Sequence, residues 1–554
     1  MAGRETVFDG PRDGSVNGIT VDNKKWDTAT AVLLAAFAIL IVATFRSYGV
    51  TVDEPHSHAN GNYFLDWYAS GFHNRAIVTE GNQRLYGSFF NSISAFVSNH
   101  SPFGLYETGH LMIALTSLIG VFFAYKLGKY LAGSMAGFFS ALFLLLTPVY
   151  YGHSFMNPKD IPFATMFLIS VYCLTMAYDR LPRLGVKWIV IVGGVIGLTL
   201  GIRVGAVMLF GYLAVLVVLK FIAVHRTDAS FRGGAAVGFV KSAVISSVGV
   251  GIVAWLVMLV WWPYAQISPI LNPLRGMRSS ANFTDYSANA LYRGRFIPAD
   301  ALPRSYLPTW FSITLPEFYG LILGLALIVL IWQRLIRKES ARGNPDLQSK
   351  IIFLIFAGVF PIASALILRP ILYDGNRHFL FVIPPLAVLT GVALAWLFVE
   401  GLLRQLTRPL GWVVVILCAM TAYDMVRLHP YEYAFFNRTY GGLRAALGHY
   451  ETDYWGVSHK EGVDWLIRNY RPNAPPHSIR VANTAADYQT GYYLQGDRPE
   501  TQRFVPVDKK DHPNVILSIT RFDVHLKYPG KVLHVVERMG TPLLYVIEVA
   551  PPSG

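Results

Sequence analysis

The chain has 554 residues, of which 53% are hydrophobic and only 15% are charged, and its mean hydropathy is +0.39. Soluble proteins carry about a quarter charged residues, and the deficit here lies in long apolar runs, which indicates a membrane protein. The formal net charge of +13 does not indicate nucleic-acid binding, because Lys and Arg lie largely in short loops between these runs. Cys173 and Cys418 lie inside apolar runs, which excludes a disulfide framework and the usual zinc spacing.

Apolar runs that approach the roughly 20 residues needed to cross a ~30 Å hydrocarbon core recur along the chain. The first follows a polar tail, 1–28, and no small-residue cleavage site follows it, which predicts a retained anchor. The run 187–222 is too long for one span and is basic at both ends, which predicts two short spans that meet at Arg203. The other predicted spans are 29–50, 109–131, 134–150, 161–179, 238–262, 314–333, 351–368, 378–399 and 410–428.

The loop charges predict the orientation of these spans. Basic loops alternate with loops that hold far fewer Lys and Arg residues, so we expect a cytoplasmic N-terminus and a periplasmic C-terminus in a bacterial inner membrane. The predicted fold class is membrane all-α, with about eleven spans and a small α/β extracytoplasmic C-terminal domain. The predicted parts are the tail 1–28, a transmembrane module 29–428 with large outer loops 51–108 and 263–313, and the C-terminal domain 429–554.

The predicted C-terminal domain combines a helical pattern with strand-like runs. The helical pattern lies at 463–467, and the runs lie at 479–481, 515–519, 532–536 and 543–549.

Two adjacent acids, Asp53 and Glu54, follow the first span where the chain leaves the membrane. Asp53 before Glu54-Pro55 is a good helix start, with an acidic cap, a proline in the first turn and negative charge on the positive end of the helix dipole. The alternative is a catalytic role, and the two roles are compatible because a capping Asp can still act as a base. Glu80, in the same outer loop, is a second candidate acid. A surface helix is predicted next, with an aromatic face of Tyr63, Phe64, Trp67 and Tyr68.

The loop between the third and fourth spans concentrates polar side chains, which are His153, Asn157, Lys159 and Asp160. A plain turn needs Asn-Pro and little else, and Lys159 and Asp160 can simply neutralise each other at the interface. The alternative is a polar site on the outer face of the membrane.

Arg203 and Arg377 lie near membrane depth, where a guanidinium is costly and needs a partner. One interpretation pairs each with a carboxylate or a lipid head group. The other pairs at least one with a substrate phosphate, which suits the forked donors of Arg. A helix start just before His378 adds a dipole that favours anions. His56 and His58 do not predict a metal site, because no further ligands stand at a matching spacing.

These stretches resemble those of the membrane-embedded C-type glycosyltransferases (GT-C). Within that superfamily the chain is most similar to bacterial relatives of the dolichyl-phosphate-mannose protein mannosyltransferases and of the lipid A aminoarabinose transferases. The resemblance covers about residues 30–470 in topology. It rests on short motifs, which are Asp53-Glu54, 84–90, 153–162, 374–379, 433–437 and 451–456.

The resemblance implies a sugar donor carried on a polyprenyl phosphate, an extracytoplasmic active site, and an acid of the first outer loop that acts on the acceptor. We therefore predict an inverting glycosyltransferase, hexosyl or pentosyl, that needs no metal or cofactor. It lies in the lipid bilayer and glycosylates a cell-envelope lipid, glycan or protein hydroxyl. The predicted residues are Asp53 as the base, Glu54 to orient the acceptor, and Glu80 as a second acid; Arg203, Arg377 and Lys159 for the donor phosphate; and Tyr86, His153, Asn157, Asp160 and His378 as further candidates.

Two departures from the family pattern leave the acceptor open. The mannosyltransferases commonly show a His-Pro-Pro stretch where this chain has Arg84-Leu85-Tyr86-Gly87, and the C-terminal domain does not have the pattern of a β-trefoil. An alternative function is a lipid or glycan transporter, although such proteins tend to show inverted repeats and interrupted helices. A third is a non-catalytic relative that binds lipid-linked sugar. Large outer loops with a soluble outer domain favour an enzyme.

Overall fold

The computed structural model describes residues 15–16, 19–20, 23–281, 289–335, 344–399, 406–495 and 499–549. Most of the predicted tail 1–28 lies outside these residues. So do parts of the predicted outer loop 263–313, of the loops after the spans 314–333 and 378–399, and of the C-terminal domain 429–554. Near the N-terminus, β1 (Ser15–Val16) pairs antiparallel with β2 (Ile19–Thr20).

Helices dominate the chain up to residue 428. The first nine are α1 Asn23–Thr44, α2 Glu54–Ala69, α3 Ala76–Thr79, α4 Phe89–His100, α5 Leu105–Leu145, α6 Pro148–Met156, α7 Asp160–Ala177, α8 Val186–Leu200 and α9 Met208–Thr227. The next eight are α10 Gly234–Trp261, α11 Pro263–Ile267, α12 Leu271–Ala281, α13 Tyr306–Thr314, α14 Glu317–Leu335, α15 Pro345–Leu368, α16 Ile383–Val399 and α17 Thr407–Leu428.

The chain is a multi-pass membrane protein. Among the described residues nine helices are long and apolar enough to cross a bilayer, and α8 is a shorter apolar helix. Helix α5 is two helices joined at Ala132 and Gly133, and Gly133 has a φ of 86°, which glycine adopts without steric cost. With the halves of α5 counted separately and α8 added, these are the eleven apolar segments that the sequence predicts. The predicted fold class is confirmed.

The centre of the bundle is formed by α5, α7 and α16. Helix α7 is apolar around its whole circumference and almost fully buried, as expected for a helix enclosed by others. Small residues let α5 and α16 approach closely, since a Cβ on Gly391 would lie 2.5 Å from Ser140 Oγ. In contrast, α1, α9 and α10 expose most of their apolar surface, as membrane-facing helices do.

Ion pairs between helix ends hold one end of the bundle. They are Lys129–Asp27 at 2.7 Å, Lys220–Asp346 at 3.0 Å and Lys350–Asp179 at 2.6 Å. Their lysines come from the loops that the sequence identifies as basic. The opposite end carries the long segments that the sequence predicts to lie outside the membrane, which we call the outer segments. They include an antiparallel hairpin of β3 (Asn289–Tyr292) and β4 (Arg295–Pro298).

The C-terminal part forms a small α/β domain, which we call the soluble domain. Its strands are β5 Ile479–Asn483, β6 Phe504–Pro506, β7 Val515–Ile519, β8 Gly530–Arg538 and β9 Thr541–Val549, and its helices are α18 Gly442–Ala446, α19 His459–Asn469 and α20 Asp487–Leu494. The five strands form one sheet of order β6-β5-β7-β9-β8. Strands β5, β6 and β7 are parallel, whereas β9 is antiparallel to both β7 and β8. This mixed sheet is not a β-trefoil. Four of the five strands and the helix α19 correspond to predicted runs, and the three-residue strand β6 was missed.

Two glycines pack the loop before α4 against the end of α8, and the first prediction concerns this contact. A Cβ on Gly87 would lie 2.1 Å from the carbonyl oxygen of Gly201. We expect Gly87→Ala to separate the two segments and lower the free energy of unfolding by ~1–3 kcal/mol, as overpacking does, in thermal unfolding of the purified protein. Gly205→Ala is the control, because nothing lies within 4 Å of its Cβ. Equal unfolding temperatures for the two variants would contradict the prediction.

Candidate active site

Charged side chains from separate segments meet at the end of the bundle that carries the outer segments. Asp53 follows α1, Asp160 is the first residue of α7, and Arg203 lies between α8 and α9. Arg377 begins the 3-10 helix that leads into α16, and Arg521 follows β7 in the soluble domain. Residues at helix ends can thus form one cluster although the sequence separates them widely.

Arg377 lies at the centre of this cluster, and its side chain is only 7% exposed. Its Nη1 lies 3.1 Å from Asp53 Oδ2 and 3.6 Å from Asp160 Oδ2, and its Nε lies 3.1 Å from Asp374 Oδ2. The guanidinium also lies 4.9 Å from the centroid of the Trp455 ring. A buried charge needs such compensation, so Arg377 and its carboxylates fix one another in place.

The cluster continues into the bundle through Asp160. This carboxylate also forms an ion pair with Arg203, whose side chain is 23% exposed. Asn157 holds Asp160 from the other side, since its Nδ2 donates to Asp160 Oδ2 at 2.9 Å and its Oδ1 accepts from the Asp160 N–H at 2.8 Å. The Asn157 side chain therefore both starts α7 and orients its first carboxylate.

The cluster also continues into the soluble domain through Asp374. Arg521 Nη2 lies 2.5 Å from Asp374 Oδ1, and Arg521 Nε lies 3.4 Å from Glu451 Oε1. Together the side chains alternate in sign in the order Arg203, Asp160, Arg377, Asp374, Arg521 and Glu451. We call this series the charge chain.

Asp53 branches from the charge chain and keeps contact with solvent, with 23% of its side chain exposed. It occupies the N-cap position of α2, but its side chain makes no capping hydrogen bond and contacts Arg377 instead. Burial alone would raise the pKa of Asp53, but the charges of Lys159 and Arg377 hold it below the usual range. Asp53 is therefore ionised at neutral pH.

The other two predicted acids are placed differently. Glu54 is buried, accepts a hydrogen bond from the Thr51 N–H at 2.7 Å, and has its Oε1 2.8 Å from His110 Nε2. It therefore anchors the first outer turn to α5. Glu80 is exposed just after α3. In the described part of the chain, no ion pair joins Glu54 or Glu80 to the charge chain.

Lys159 lies close enough to Asp53 for its charge to lower the pKa of that carboxyl. Its Nζ lies 5.2 Å from the centroid of the Tyr86 ring, and the residue is partly exposed. Within the residues that the structure describes, its ammonium forms no ion pair. His378, next to Arg377, packs edge-on against Tyr373 at 4.6 Å between centroids. Of the predicted phosphate ligands, Lys159 is thus the least committed to other groups.

His153 is fully buried behind this surface. Its Nε2 lies 2.9 Å from Tyr454 Oη, and its Nδ1 lies 3.2 Å from Asn157 Nδ2. Burial, reinforced by the charge of Arg377, lowers the pKa of His153 to about 3. The imidazole is neutral near pH 7 and links α6 to the soluble domain. In the residues the structure describes, no three His, Cys, Asp or Glu side chains are grouped to hold a metal ion.

Sequence reasoning missed part of the cluster. Asp374 and Glu451 stood in stretches that carried the resemblance but had no assigned role, and Arg521 was not considered. A signal for Arg521 existed, because it closely follows the buried strand β7, which runs parallel to β5. Functional side chains often gather beyond the carboxyl ends of parallel strands.

Residues 89–261 match the family described as dolichyl-phosphate-mannose-protein mannosyltransferase. The matched segment contains Lys159, Asp160 and Arg203, whereas Asp53 and Arg377 lie outside it. The match confirms the resemblance to the C-type glycosyltransferases.

Similar solved structures include the crystal structure of ArnT from Cupriavidus metallidurans bound to undecaprenyl phosphate. It has a TM-score of 0.49 and 16% sequence identity, covering 94% of this chain and 98% of that chain. The archaeal oligosaccharyltransferase AglB from Archaeoglobus fulgidus, in complex with an inhibitory peptide and a dolichol-phosphate, has a TM-score of 0.45 and 12% identity. That comparison covers 90% of this chain and 69% of that chain. No curated protein matches by sequence.

The second prediction concerns Glu451, the end of the charge chain. Burial raises the pKa of Glu451 to about 7, although the charge of Arg521 opposes this. Because the folded-state pKa is raised, the ionised form costs stability, and this cost grows from roughly pH 4.5 until it is complete above about pH 7. We expect Glu451→Gln to raise the free energy of unfolding by ~1–3 kcal/mol at pH 8 and to have little effect at pH 4.5.

Thermal unfolding of the purified protein between pH 4.5 and 8 measures this effect. Glu461→Gln is a control with the opposite sign. Burial would raise the pKa of Glu461, but Arg538 and Tyr431 lower it, so this variant loses stability at pH 8. A Glu451→Gln variant that is less stable than wild type at pH 8 would refute the assignment.

Proposed function

We propose that the chain transfers a sugar from a polyprenyl-phosphate-linked donor to a hydroxyl of a cell-envelope acceptor, with inversion at the anomeric carbon. The observation that carries this proposal is that Lys159, a partly exposed cation, lies close enough to the ionised and partly exposed Asp53 to lower the pKa of that carboxyl. Inverting transfer from a phosphate needs a base for the acceptor and a cation for the leaving group. The family match over residues 89–261 supports the class of reaction.

Each step of the transfer has a candidate group. The hydroxyl oxygen of the acceptor attacks the anomeric carbon while Asp53 accepts the hydroxyl proton. The bond from the anomeric carbon to the phosphate oxygen of the donor breaks in the same step. The polyprenyl phosphate leaves with one more negative charge, and Lys159 and the exposed part of Arg203 stabilise it. The protonated Asp53 then returns its proton to solvent, which reaches the exposed part of its side chain.

The sequence predicts Arg377 as a ligand of the donor phosphate, but in this proposal it has a different role. It is almost fully buried, and three carboxylates share its charge. We assign it to holding Asp53 ionised and oriented. Tyr86, which lies against Lys159, is assigned to the wall of the phosphate site.

The proposed location is the bacterial inner membrane, with the charge chain on the periplasmic side. The lysine-rich end of the bundle would face the cytoplasm by the positive-inside rule. Soluble nucleotide sugars are not supplied in the periplasm. A donor attached to lipid reaches a periplasmic site through the membrane itself. On this arrangement 29–428 is the transmembrane module and 429–554 the periplasmic domain.

The third prediction tests the base. We expect Asp53→Asn to lower kcat by ~10²–10⁴-fold, because the amide cannot accept the acceptor proton. The assay uses purified protein and radiolabelled polyprenyl-phosphate sugars. We expect kcat/KM of wild type to rise with pH at a pH below the usual pKa range of carboxyl groups, since the pKa of Asp53 is lowered.

Asp27→Asn is the matched control, because Asp27 also pairs with a basic residue but at the opposite end of the bundle. Transfer that survives unchanged in Asp53→Asn would remove the proposed base. Flux of lipid-linked sugar into vesicles without turnover of any donor would favour a transporter instead.

The fourth prediction tests the phosphate contact. We expect Lys159→Ala to lower kcat/KM on the order of 10²-fold, as the loss of one donor to a developing anion does. Lys159→Arg should retain a large part of the activity, because it keeps the charge. Lys460→Ala is the control, since Lys460 pairs with Asp464 on α19. Equal kcat/KM values for Lys159→Ala and Lys460→Ala would exclude Lys159 from the site.

A further inference from the structure

The soluble domain contacts Asp53 and its surroundings along two independent routes. We propose that this domain positions the general base, and that Arg521 and Tyr488 are positioning residues for the transfer reaction. The inference rests on the role proposed for Asp53 and adds that the base is competent only when the domain is docked on the bundle.

The first route runs through side chains. The Arg521 side chain is 13% exposed, and its Nη1 donates to the carbonyl oxygen of Tyr454 at 2.7 Å, which fixes the guanidinium within the domain. Its Nη2 holds Asp374 Oδ1 at 2.5 Å, while Asp374 Oδ2 lies 3.1 Å from Arg377 Nε. Arg377 in turn holds Asp53 at 3.1 Å. The position of Arg377 between Asp374 and Asp53 thus depends on an arginine from the soluble domain.

The second route runs through the backbone just before Asp53. Helix α20 of the soluble domain binds this segment, since Gln489 Nε2 donates to the Val50 carbonyl oxygen at 2.7 Å and the Val50 N–H donates to Tyr493 Oη at 2.8 Å. Tyr488 Oη donates to the Val52 carbonyl oxygen at 2.5 Å. Neither α1 nor α2 includes these residues, so side chains from α20 satisfy their polar groups.

Both routes from the soluble domain end at Asp53. One sets the backbone from which Asp53 projects, and the other sets the cation that its carboxylate contacts. Displacement of a reacting group by about 1 Å can cost on the order of 10²-fold in rate. A change in either route should therefore appear in kcat rather than in binding of the donor.

Removal of Arg521 also has a predictable electrostatic effect. Asp374 would then have Arg377 as its remaining arginine partner and would draw that guanidinium away from Asp53. The pKa of Asp53, which Arg377 helps to lower, should then rise. The charged and titratable groups around Asp53 are Lys159, Arg377, His56, His153, Tyr373 and Tyr488.

The fifth prediction compares Arg521→Gln with Arg538→Gln, in which the lost arginine pairs with Glu461 at 2.7 Å. We expect Arg521→Gln to lower kcat by ~10²-fold with little change in KM for the donor. The acid limb of its kcat/KM profile should move up by about one pH unit. Arg521→Lys keeps the positive charge but lacks the forked N–H donors of the guanidinium. It should therefore show smaller changes in kcat and in the acid limb than Arg521→Gln. Arg538→Gln should change neither.

Tyr488→Phe tests the backbone route with almost no change in shape. Loss of one hydrogen bond is expected to lower kcat by about 3- to 10-fold, again without a change in KM. Tyr470→Phe is its control, because Tyr470 donates to Glu548 Oε1 at 2.6 Å within the soluble domain. Comparison of Tyr488→Phe with Tyr470→Phe still tests the inference if Arg521→Gln does not fold.

A readout without turnover separates this inference from the proposed function. A water-soluble carbodiimide with a glycine ester labels protonated carboxyls, and mass spectrometry follows labelling of Asp53 against exposed Glu80 as internal standard. Arg521→Gln should shift the pH dependence of Asp53 labelling upward, whereas Arg538→Gln should match wild type. Unchanged labelling and kcat in Arg521→Gln would overturn the inference. Absence of transfer by wild type would overturn the proposed function, and labelling would still test the positioning.

Discussion

The compensation of one buried positive charge organises the end of the helical bundle that contacts the C-terminal α/β domain. Arg377 is nearly inaccessible to water, and its guanidinium is balanced by Asp53, Asp160 and Asp374. Loss of any one carboxylate changes the field at the other two, because they share one cation in a low-dielectric setting. The ends of α1, α7 and α16 that lie near Arg377 are therefore coupled to the soluble domain electrostatically as well as by packing.

The same interaction explains why two adjacent acids differ. Asp53 and Glu54 both follow α1, but α2 begins between them and turns their side chains in different directions. Glu54 is buried against His110 and the Thr51 N–H, where it fixes the turn. Asp53 faces the cations and solvent. Local chemistry made both acids candidates, and only the direction of each side chain separates a structural carboxylate from an accessible one.

The sequence predicts the membrane helices well because long apolar runs and loop charges act locally. The turn at Arg203 and the placement of Lys159 and Asp160 in a loop just before a span also follow from local pattern. The pairing of Arg377 with Asp53 could not be predicted, because it joins residues 324 positions apart. Arg521 was missed for the same reason, since its partner Asp374 lies 147 positions away, just before the helix that leads into α16. Only the packing of the soluble domain on the bundle brings such residues together.

The balance of charges around Asp53 also constrains the proton transfer from the acceptor hydroxyl in the proposed reaction. Cations that keep this carboxylate ionised at neutral pH also weaken it as a base. In the proposed transfer, a weak base is sufficient only if the acceptor hydroxyl becomes acidic as its oxygen bonds to the sugar. Proton transfer then follows bond formation closely, and the position of the carboxylate matters more than its basicity. In our proposal, the backbone hydrogen bonds from α20 and the contacts of Arg521 in the charge chain both fix the position of Asp53. Their presence is consistent with a site in which geometry limits the rate.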